Sequence, residues 1–577
     1  AVPAMSIDTM RPPSTPTANT LLINPTITSR SSARFPLAPL NLAEALDRNG
    51  ESRIIDGNID RGFIDTALGT LAEQRFDAVG ISVMGGPQVA PSIALSKAIR
   101  ERFPATPIAW GGYFPTLYTD TALAAPYVDY AIRGQGEETL PALVAALRGE
   151  GSLLAEIDGL SWKNGDTIVH NAGRRISRND PVLALPYDKL GDPRRYLART
   201  FLGRRTAAHQ AALGCRFRCT FCGVAAMFGG ATALPTAQRL ERELSYLKHG
   251  LGADSIQFFD HNFFDREVEM IPLLEVMARL EMPWWCYARA DALLNLSEST
   301  WKLVRKSKLR MAYIGAESPS GAMLKEIRKG TRPDQTLEAA ELCRRNGVIP
   351  ELSFMVAPPE NTEEETERTF EFIREIKRIN PQSEIIVYIY TPLPEGSRHE
   401  KDRGRHTAKP LLDLHGTPFA FPRTPEEWTE QRWVDYACHA DAPWLSDALR
   451  QRIRDFVTVL RCRYPTVQDM RSPHWAKRGL SAMAGWRYRF RRYDRPWELD
   501  LADRLVRLGF VTEAVIRDIM ARTIGQESID LSQVVVDADA VRLIPQDFAR
   551  RHRLLPTPTR RADSHSVEPS RRASTST

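Results

Sequence analysis

Apolar and polar residues follow two recurring patterns over the first quarter of the chain. Short apolar runs predict five strands, TLLINP, SRIIDG, DAVGISVM, TPIAWGG and DYAIRG. Between them, segments such as 38–49 and 87–103 repeat apolar residues at helical spacing. Because strands that alternate with helices form a parallel sheet covered on both faces, residues 20–150 are predicted to form a doubly wound α/β domain.

A second alternating series occupies residues 206–403. Helical patterns at 237–249, 268–280, 298–306 and 336–346 separate six predicted strands, which read TAAHQAAL, SIQFFD, PWWCYAR, RMAYIGAE, PELSFMVAP and EIIVYIYTPL. Six such units predict a partial (β/α)6 barrel. Its functional groups are expected at the carboxyl ends of the strands, as in closed barrels.

The other segments differ in composition. Residues 151–205 are predicted to be a linker with one hairpin, turning on Asn164-Gly165, and residues 404–554 a helical C-terminal domain. The Pro-, Ser- and Thr-rich ends, 1–19 and 555–577, are predicted to be disordered tails. Residues 486–492 interleave aromatic and basic side chains, as single-strand binders do. Periodic aromatic residues are more often core, which favours a helix packed on the barrel mouth.

Composition narrows the class of protein. A hydrophobic fraction of 43% and a charged fraction of 26% predict a folded globular chain, and the net charge of +6 indicates a solvated basic surface rather than a nucleic-acid partner. No apolar run reaches the length of a membrane span, and residues 1–19 lack the centre of a signal peptide. We therefore expect no transmembrane span and a cytoplasmic location. Seven cysteines, an odd number, favour a reduced compartment and a metal site over disulfides.

Three of the cysteines, Cys215, Cys219 and Cys222, lie within eight residues, directly after the first strand of the second series. Three thiolates on one loop can bind three irons of a cubane and leave the fourth iron an open coordination site. The alternative is zinc, with His209 or a distant cysteine as the fourth ligand. Structural zinc sites usually pair two cysteine knuckles, and the remaining cysteines form no such pair.

The spacing CxxxCxxC, with Phe221 before the last cysteine and a six-strand barrel around it, resembles the signature of radical S-adenosylmethionine enzymes. The resemblance implies a [4Fe-4S] cluster whose open iron binds S-adenosylmethionine. One electron, from an external reductant such as flavodoxin or ferredoxin, then gives methionine and a 5′-deoxyadenosyl radical. It also implies cofactor contacts at the strand ends, from Asp260, Arg289, Glu317, Ser318 and Ser353. Ser353, Ala357 and Pro358 stand where the family pattern usually has glycine.

The N-terminal domain resembles the flavodoxin-like, cobalamin-binding module that precedes the radical domain in one large subfamily. Glycine at a strand end lets a bulky ligand approach the backbone. The matching residues are Ser82, Gly85, Gly86, Gly111, Gly112, Gly134, Gly136 and Glu137. The DxHxxG motif of cobalamin binders is absent, and no histidine precedes His170. The resemblance therefore implies cobalamin without a histidine from this domain below cobalt. The alternative is a degenerate module that binds nothing.

Together these resemblances imply methylation of an unactivated carbon in a small-molecule or lipid substrate. The 5′-deoxyadenosyl radical would abstract a hydrogen, the substrate radical would take a methyl group from methylcobalamin, and a second S-adenosylmethionine would restore it. The chain also resembles the anaerobic magnesium-protoporphyrin monomethyl ester cyclase group, so ring formation or oxidation is an alternative. A third hypothesis is a non-catalytic iron-sulfur or cobalamin sensor.

Overall fold

A computed structural model describes residues 18–176, 185–393, 421–470, 472 and 474–507, and the backbone of two further strands. Of the predicted tail at 1–19, residues 1–17 lie outside the described residues, and Ala18 and Asn19 belong to the first strand; the predicted tail at 555–577 lies entirely outside the described residues. The chain divides into two compact units, of which the first ends at Met470 and the second begins at Arg471. The first unit contains both predicted α/β domains.

The first sheet confirms the predicted doubly wound domain. Its strand order is β2-β1-β3-β4-β5-β6-β7, and the first five strands are parallel. The strands are β1 (Ala18–Asn24), β2 (Gly50–Asp56), β3 (Ala78–Ser82), β4 (Ile108–Gly111), β5 (Tyr130–Ile132), β6 (Leu160–Asn164) and β7 (Thr167–His170). The hairpin β6-β7 turns where the sequence predicts, but it pairs antiparallel with β5. It therefore extends the sheet and is not part of a linker.

Helices cover both faces of this sheet because its strands are apolar on both sides. They are α1 (Leu37–Leu46), α2 (Phe63–Glu73), α3 (Val89–Arg102), α4 (Tyr113–Leu117), α5 (Thr119–Ala124) and α6 (Thr139–Leu147). One face buries a cluster around Trp110 and Phe114, and the other a cluster around Leu22 and Leu140. This leaves the carboxyl ends of the strands as the edge where a ligand can bind.

The second sheet confirms the six-strand open barrel. All its pairs are parallel, in the order β15-β14-β13-β12-β11-β8. Its strands are β8 (Thr206–His209), β11 (Ser255–Phe258), β12 (Trp284–Ala288), β13 (Leu309–Glu317), β14 (Ile349–Val356) and β15 (Glu384–Ile389), and the small strands β9 (Leu213–Gly214) and β10 (Thr232–Ala233) pair separately. The helices are α7 (Gly223–Phe228), α8 (Ala237–Ser245) with a π-helical continuation (Tyr246–Gly250), α9 (Glu267–Leu280), α10 (Ala290–Leu294), α11 (Glu298–Lys306), α12 (Gly321–Glu326), α13 (Pro333–Asn346) and α14 (Thr362–Ile379).

Two buried carboxylic acids lie side by side at the amino end of the barrel. Glu351 of β14 is opposite Glu384 of β15, and the Gln468 amide donates to both, at 2.6 and 2.9 Å. Trp285 donates to Glu351 at 2.9 Å. Burial raises the pKa of both carboxyls. The segment around Gln468 thus covers this end of the barrel, opposite the strand ends that carry the candidate site.

The C-terminal region differs from the prediction in two ways. It contains α15 (Gln431–Ala437), α16 (Asp447–Arg463), α17 (His474–Arg489) and α18 (Trp497–Arg507), and then the antiparallel strands β16 (Val534–Asp537) and β17 (Arg542–Pro545). The four helices confirm the predicted helical C-terminal region, which also contains a β-hairpin because the β-branched run at 534–536 favours a strand. Residues 421–470 belong to the first unit: Phe456 of α16 stacks on Phe370 of α14, with ring centroids 3.8 Å apart. No helix within the described ranges could cross a membrane.

Candidate cluster and cofactor site

The loop that carries the three cysteines follows β9 and leads into α7. Gly214 has φ +76°, and a Cβ there would lie 2.2 Å from the Ala231 oxygen, so only glycine fits. The fully buried Asp260 carboxylate accepts hydrogen bonds from the Ala211 and Ala212 amides. Asp260, predicted as a cofactor contact, therefore fixes the chain that enters the loop. Its contact with a cofactor stays a prediction.

The three thiols affect one another. Cys219 is buried, and Cys215 and Cys222 are partly buried. Burial, followed by the charge of neighbouring thiolates, raises the pKa of Cys222 to about 11, and burial raises the pKa of Cys215. Thiolates in such a place need positive charge beside them, which bound iron supplies.

No three His, Cys, Asp or Glu side chains among the described residues converge on a single metal ion. A cubane presents a different iron to each thiolate, so its ligands need not converge on one point. The donor set, three soft thiols on one loop, therefore fits a [4Fe-4S] cluster.

Arg289, at the end of β12, connects the loop to the strand ends. Its guanidinium carbon lies 3.5 Å from the centre of the Phe217 ring in the cysteine loop. It pairs with Asp291 through two hydrogen bonds of 3.0 Å and donates to the Lys329 carbonyl at 2.6 Å. A buried guanidinium with these three partners keeps a positive charge beside the thiols and restrains the loop.

Glu317, at the end of β13, forms a buried ion pair that the sequence does not reveal. Lys329 Nζ lies 2.6 Å from Glu317 Oε1, and both side chains are only 8% exposed. The pair occupies the space beside Gly315, where a Cβ would lie 2.1 Å from the carboxylate. Lys329 Nζ also lies 5.8 Å from the ring centre of Phe221, the aromatic residue of the cysteine motif. The pair therefore places an acid and an amine next to the cluster loop.

Removal of the amine tests this pair. Lys329→Met leaves the Glu317 carboxylate buried without a partner, and breaking a buried pair in this way costs about 3 to 5 kcal/mol. We expect that loss in the free energy of unfolding, measured with denaturant. Lys325→Met, at an exposed position of α12, is the matched control and should stay within about 0.5 kcal/mol of the parent. A loss below about 1 kcal/mol for Lys329→Met would contradict a paired, buried carboxylate.

The barrel interior beside these residues is lined by phenols. Ser353 lies opposite Gly315 in the sheet and hydrogen-bonds the Tyr313 side chain. Burial raises the pKa of Tyr287 to about 12 and also raises that of Tyr313, so both phenols stay protonated at neutral pH. The predicted residue Ser318 accepts a hydrogen bond from the Ser320 amide at 3.0 Å. The part of the barrel wall that these phenols and serines form is thus uncharged and can form hydrogen bonds.

The glycine-rich turns of the first sheet meet at its carboxyl edge, as predicted. Gly112 has φ +100°, and its Cβ would lie 3.0 Å from the Val83 oxygen, so this turn requires glycine. The Gly112 carbonyl accepts from Thr116 Oγ1, which in turn accepts from the Gly134 amide. The other predicted residues follow β3, β4 and β5 at the same edge: Ser82, Gly85, Gly86, Gly111, Gly136 and Glu137. Such an edge fits the corrin of cobalamin, which needs close backbone approach.

This edge is in direct contact with the helix that follows the cysteines. A Cβ on Gly134 would lie 2.8 Å from the Met227 oxygen of α7, and one on Gly223 would lie 2.9 Å from the Tyr113 ring. Tyr113 Oη is 3.5 Å from His261 Nε2. Burial lowers the pKa of His261 to about 4, so the imidazole is neutral. The two predicted cofactor regions therefore belong to one junction.

Sequence reasoning missed Lys329 and His261 as members of this site. His261 directly follows the predicted Asp260 at the end of β11, which is the signal that could have found it. Lys329 lies in a polar stretch that follows α12, where nothing local distinguishes it from the exposed Lys325. Only the fold brings it to Glu317.

Comparison with known proteins identifies both domains. Residues 211–373 match the model of the radical SAM superfamily, and residues 27–144 match the model of the B12 binding domain. An uncharacterised methyltransferase of Pyrococcus horikoshii is 28% identical over 59% of this chain and 73% of its own length. The anaerobic magnesium-protoporphyrin IX monomethyl ester cyclase of Synechocystis is 23% identical over 56% of this chain and 66% of its own length, slightly under two thirds.

Solved structures share the fold. OxsB, a cobalamin-dependent S-adenosylmethionine radical enzyme with aqua-cobalamin and S-adenosylmethionine bound, aligns with a TM-score of 0.61 at 15% identity, over 93% of this chain and 83% of its own. TsrM of Kitasatospora setae, a radical S-adenosylmethionine methyltransferase with cobalamin and a [4Fe-4S] cluster bound, aligns with a TM-score of 0.53 at 15% identity, over 81% and 99%. The domains imply a [4Fe-4S] cluster, S-adenosylmethionine and cobalamin as cofactors.

Proposed function

We propose that this chain, a cobalamin-binding radical S-adenosylmethionine enzyme, transfers a methyl group to an unactivated carbon of a small-molecule or lipid substrate. The observation that carries the proposal is the direct contact between the glycine-rich edge of the first sheet and α7, which begins next to Cys222. A methyl donor at that edge and a radical generated at the cysteine loop would then act at one junction. Short distances between reacting groups are what such a transfer needs.

Different residues would bind the cluster and S-adenosylmethionine. Cys215, Cys219 and Cys222 would hold the cluster, and Arg289 restrains their loop through Phe217. Glu317 and Lys329 offer a carboxylate and an ammonium to the polar groups of S-adenosylmethionine. When bound, the cluster supplies the electron that cleaves S-adenosylmethionine, and cobalamin supplies the methyl group.

The neutral residues at the junction have a different role. Tyr113 and His261 come from the two domains and meet at the edge of the first sheet. Both side chains are uncharged at neutral pH, since burial raises the pKa of Tyr113 and lowers that of His261. Packed together without charge, they help to exclude water from the junction, and exclusion of water limits side reactions of reactive intermediates.

Stoichiometry tests the proposal. Each methylation consumes two molecules of S-adenosylmethionine and two electrons from an external reductant, one electron for cleavage and one to complete the methyl transfer. One cleavage gives methionine and 5′-deoxyadenosine, and the other molecule leaves as S-adenosylhomocysteine. We therefore expect equal amounts of 5′-deoxyadenosine, S-adenosylhomocysteine and a product heavier by one CH₂ group. The assay uses the reconstituted protein, a chemical reductant and extracts of the native host.

The alternative reaction would form a different set of products. Similarity to the protoporphyrin ester cyclases favours ring formation or oxidation as the second candidate. That reaction would yield 5′-deoxyadenosine and a product without an added CH₂ group, and no matching S-adenosylhomocysteine. Deuterated methyl groups on S-adenosylmethionine decide between the two, since only methylation carries the label into product.

A further inference from the structure

One face of α17 exposes large aromatic rings where a solvated helix would place polar side chains. Trp475 is 40% exposed and Trp486 is 53% exposed, while Phe490, directly after the helix, is 64% exposed. The expectation that the periodic aromatic residues at 486–492 are core is therefore wrong for Trp486 and Phe490. It holds for Tyr488, which is buried.

The exposed residues form a continuous stripe. At 100° per residue, Trp475, Ala482, Trp486 and Phe490 fall within one third of the helix circumference, together with Arg478 and Arg489. The buried residues are on the opposite side: Ala476, Leu480, Ala484 and Tyr488. Both sides of α17 are therefore apolar in part. One side buries Leu480 and Tyr488, and the other side exposes the tryptophan and phenylalanine rings.

The charge around the stripe is predominantly positive. Between Arg471 and Asp500 the sequence contains eight Lys and Arg residues and three carboxylates, Asp494, Glu498 and Asp500, and Glu498 pairs with Arg487. Arg487 lies 5.2 Å from the Trp486 ring centre and Arg489 lies 5.6 Å from that of Phe490. Trp497, at the start of α18, adds a further ring that is 65% exposed. Rings and cationic side chains thus share one surface, which we call the aromatic–basic surface of α17.

We infer that the aromatic–basic surface of α17 docks on an anionic lipid bilayer. Tryptophan and phenylalanine partition into the boundary between headgroups and acyl chains, and arginine side chains extend from that depth to anionic headgroups. Each basic residue near such a surface strengthens binding about fivefold, since it contributes about 1 kcal/mol. The inference concerns the second unit and is independent of the proposed reaction.

Single-stranded nucleic acid fits this surface less well. Trp475 and Trp486 are separated by three helical turns, about 16 Å along the axis. Successive stacked bases are only about 3.4 Å apart, so a strand that stacks on one ring would need to cross a convex surface to reach the other. A bilayer contacts all the rings at once, whatever their spacing along the helix.

Vesicle sedimentation with the full-length chain tests the inference. At physiological salt, we expect at least about tenfold stronger binding to vesicles of phosphatidylcholine with one quarter phosphatidylglycerol than to phosphatidylcholine alone. Trp486→Ser combined with Phe490→Ser should weaken binding to the anionic vesicles about tenfold, because the rings no longer insert. Arg489→Glu combined with Arg492→Glu should remove the preference for anionic lipid.

The controls separate docking from folding and from catalysis. Val268→Ser changes an apolar side chain that is 81% exposed on α9 of the first unit and is not part of the aromatic–basic surface, and it should leave vesicle binding unchanged. All variants should keep the parent's melting temperature and its dithionite-driven cleavage of S-adenosylmethionine in the absence of vesicles. The inference is overturned if anionic vesicles do not bind, if both double variants bind like the parent, or if a single-stranded oligonucleotide binds through these residues while vesicles do not.

Discussion

Replacement of Cys215, Cys219 and Cys222 together by alanine is expected to abolish the absorbance at about 400 nm of the reconstituted protein and all formation of 5′-deoxyadenosine. The reason is that each thiolate would bind one iron of the cluster. Two other described cysteines, Cys286 and Cys343, are fully buried in the barrel and could not replace these ligands. Iron content, the spectrum and 5′-deoxyadenosine are measured after anaerobic reconstitution.

The matched control is Cys343→Ala, which removes a thiol of α13 outside the loop. The substitution deletes one small buried group, so the cluster spectrum and cleavage activity should match those of the parent. A triple variant that keeps the spectrum and still cleaves S-adenosylmethionine would contradict the assignment of the loop. If the triple variant binds zinc with the same affinity as the parent protein, the zinc site does not involve these three cysteines.

The parts of the site that depend on local spacing could be predicted from sequence. CxxxCxxC needs only one loop, and the parallel strands around it follow from short apolar runs that alternate with segments of helical periodicity. The strand-end glycines at 112 and 134 were predictable because positive φ restricts the residue type. The residues that these glycines contact in the fold were not predictable, because Met227, which faces Gly134, is distant from it along the chain.

Contacts between distant segments account for what the sequence did not reveal. Lys329 pairs with Glu317 across a bulge in the sheet, where the register shifts after Gly315. His261 meets Tyr113 from another domain. The exposure of Trp486 was mispredicted for a related reason: helical period shows that aromatic residues share a face, but not whether protein covers that face. The pattern of hydrophobic residues thus predicts secondary-structure elements more reliably than the contacts between them.

Two glycines at the sheet edge make cobalamin binding separable from cluster binding. A Cβ on Gly112 would strain the turn within the first domain, against Val83, whereas one on Gly134 would push against Met227 of α7. Because α7 begins directly after Cys222, a Cβ on Gly134 would press directly on the helix that follows the cysteines, whereas one on Gly112 would press on Val83 of its own domain. The two substitutions are therefore expected to have different consequences.

The purified protein should bind hydroxocobalamin tightly, and Gly112→Val should weaken that binding about tenfold, since a non-glycine residue at positive φ costs about 1 to 3 kcal/mol. Its cluster content should stay at the parent's level. Gly134→Val should lower both cobalamin binding and cluster content. Gly69→Ala, in α2 of the same domain with open space around it, is the control and should change neither.

Electron paramagnetic resonance of the Co(II) state reports whether a nitrogen ligand binds cobalt from the lower face of the corrin. The measurement does not depend on enzyme activity. No histidine precedes His170 in the chain, and the two ring nitrogens of His170, on the edge strand β7, lie 3.0 Å from Ser161 and 3.0 Å from Asp120, so no nitrogen hyperfine splitting from the first domain is expected. Splitting would contradict that expectation, and His261→Phe would then test the imidazole that lies against Tyr113 at the edge. A protein that cleaves S-adenosylmethionine but binds no hydroxocobalamin would rule out the proposed methyl transfer, because the methyl donor would have no place at the junction.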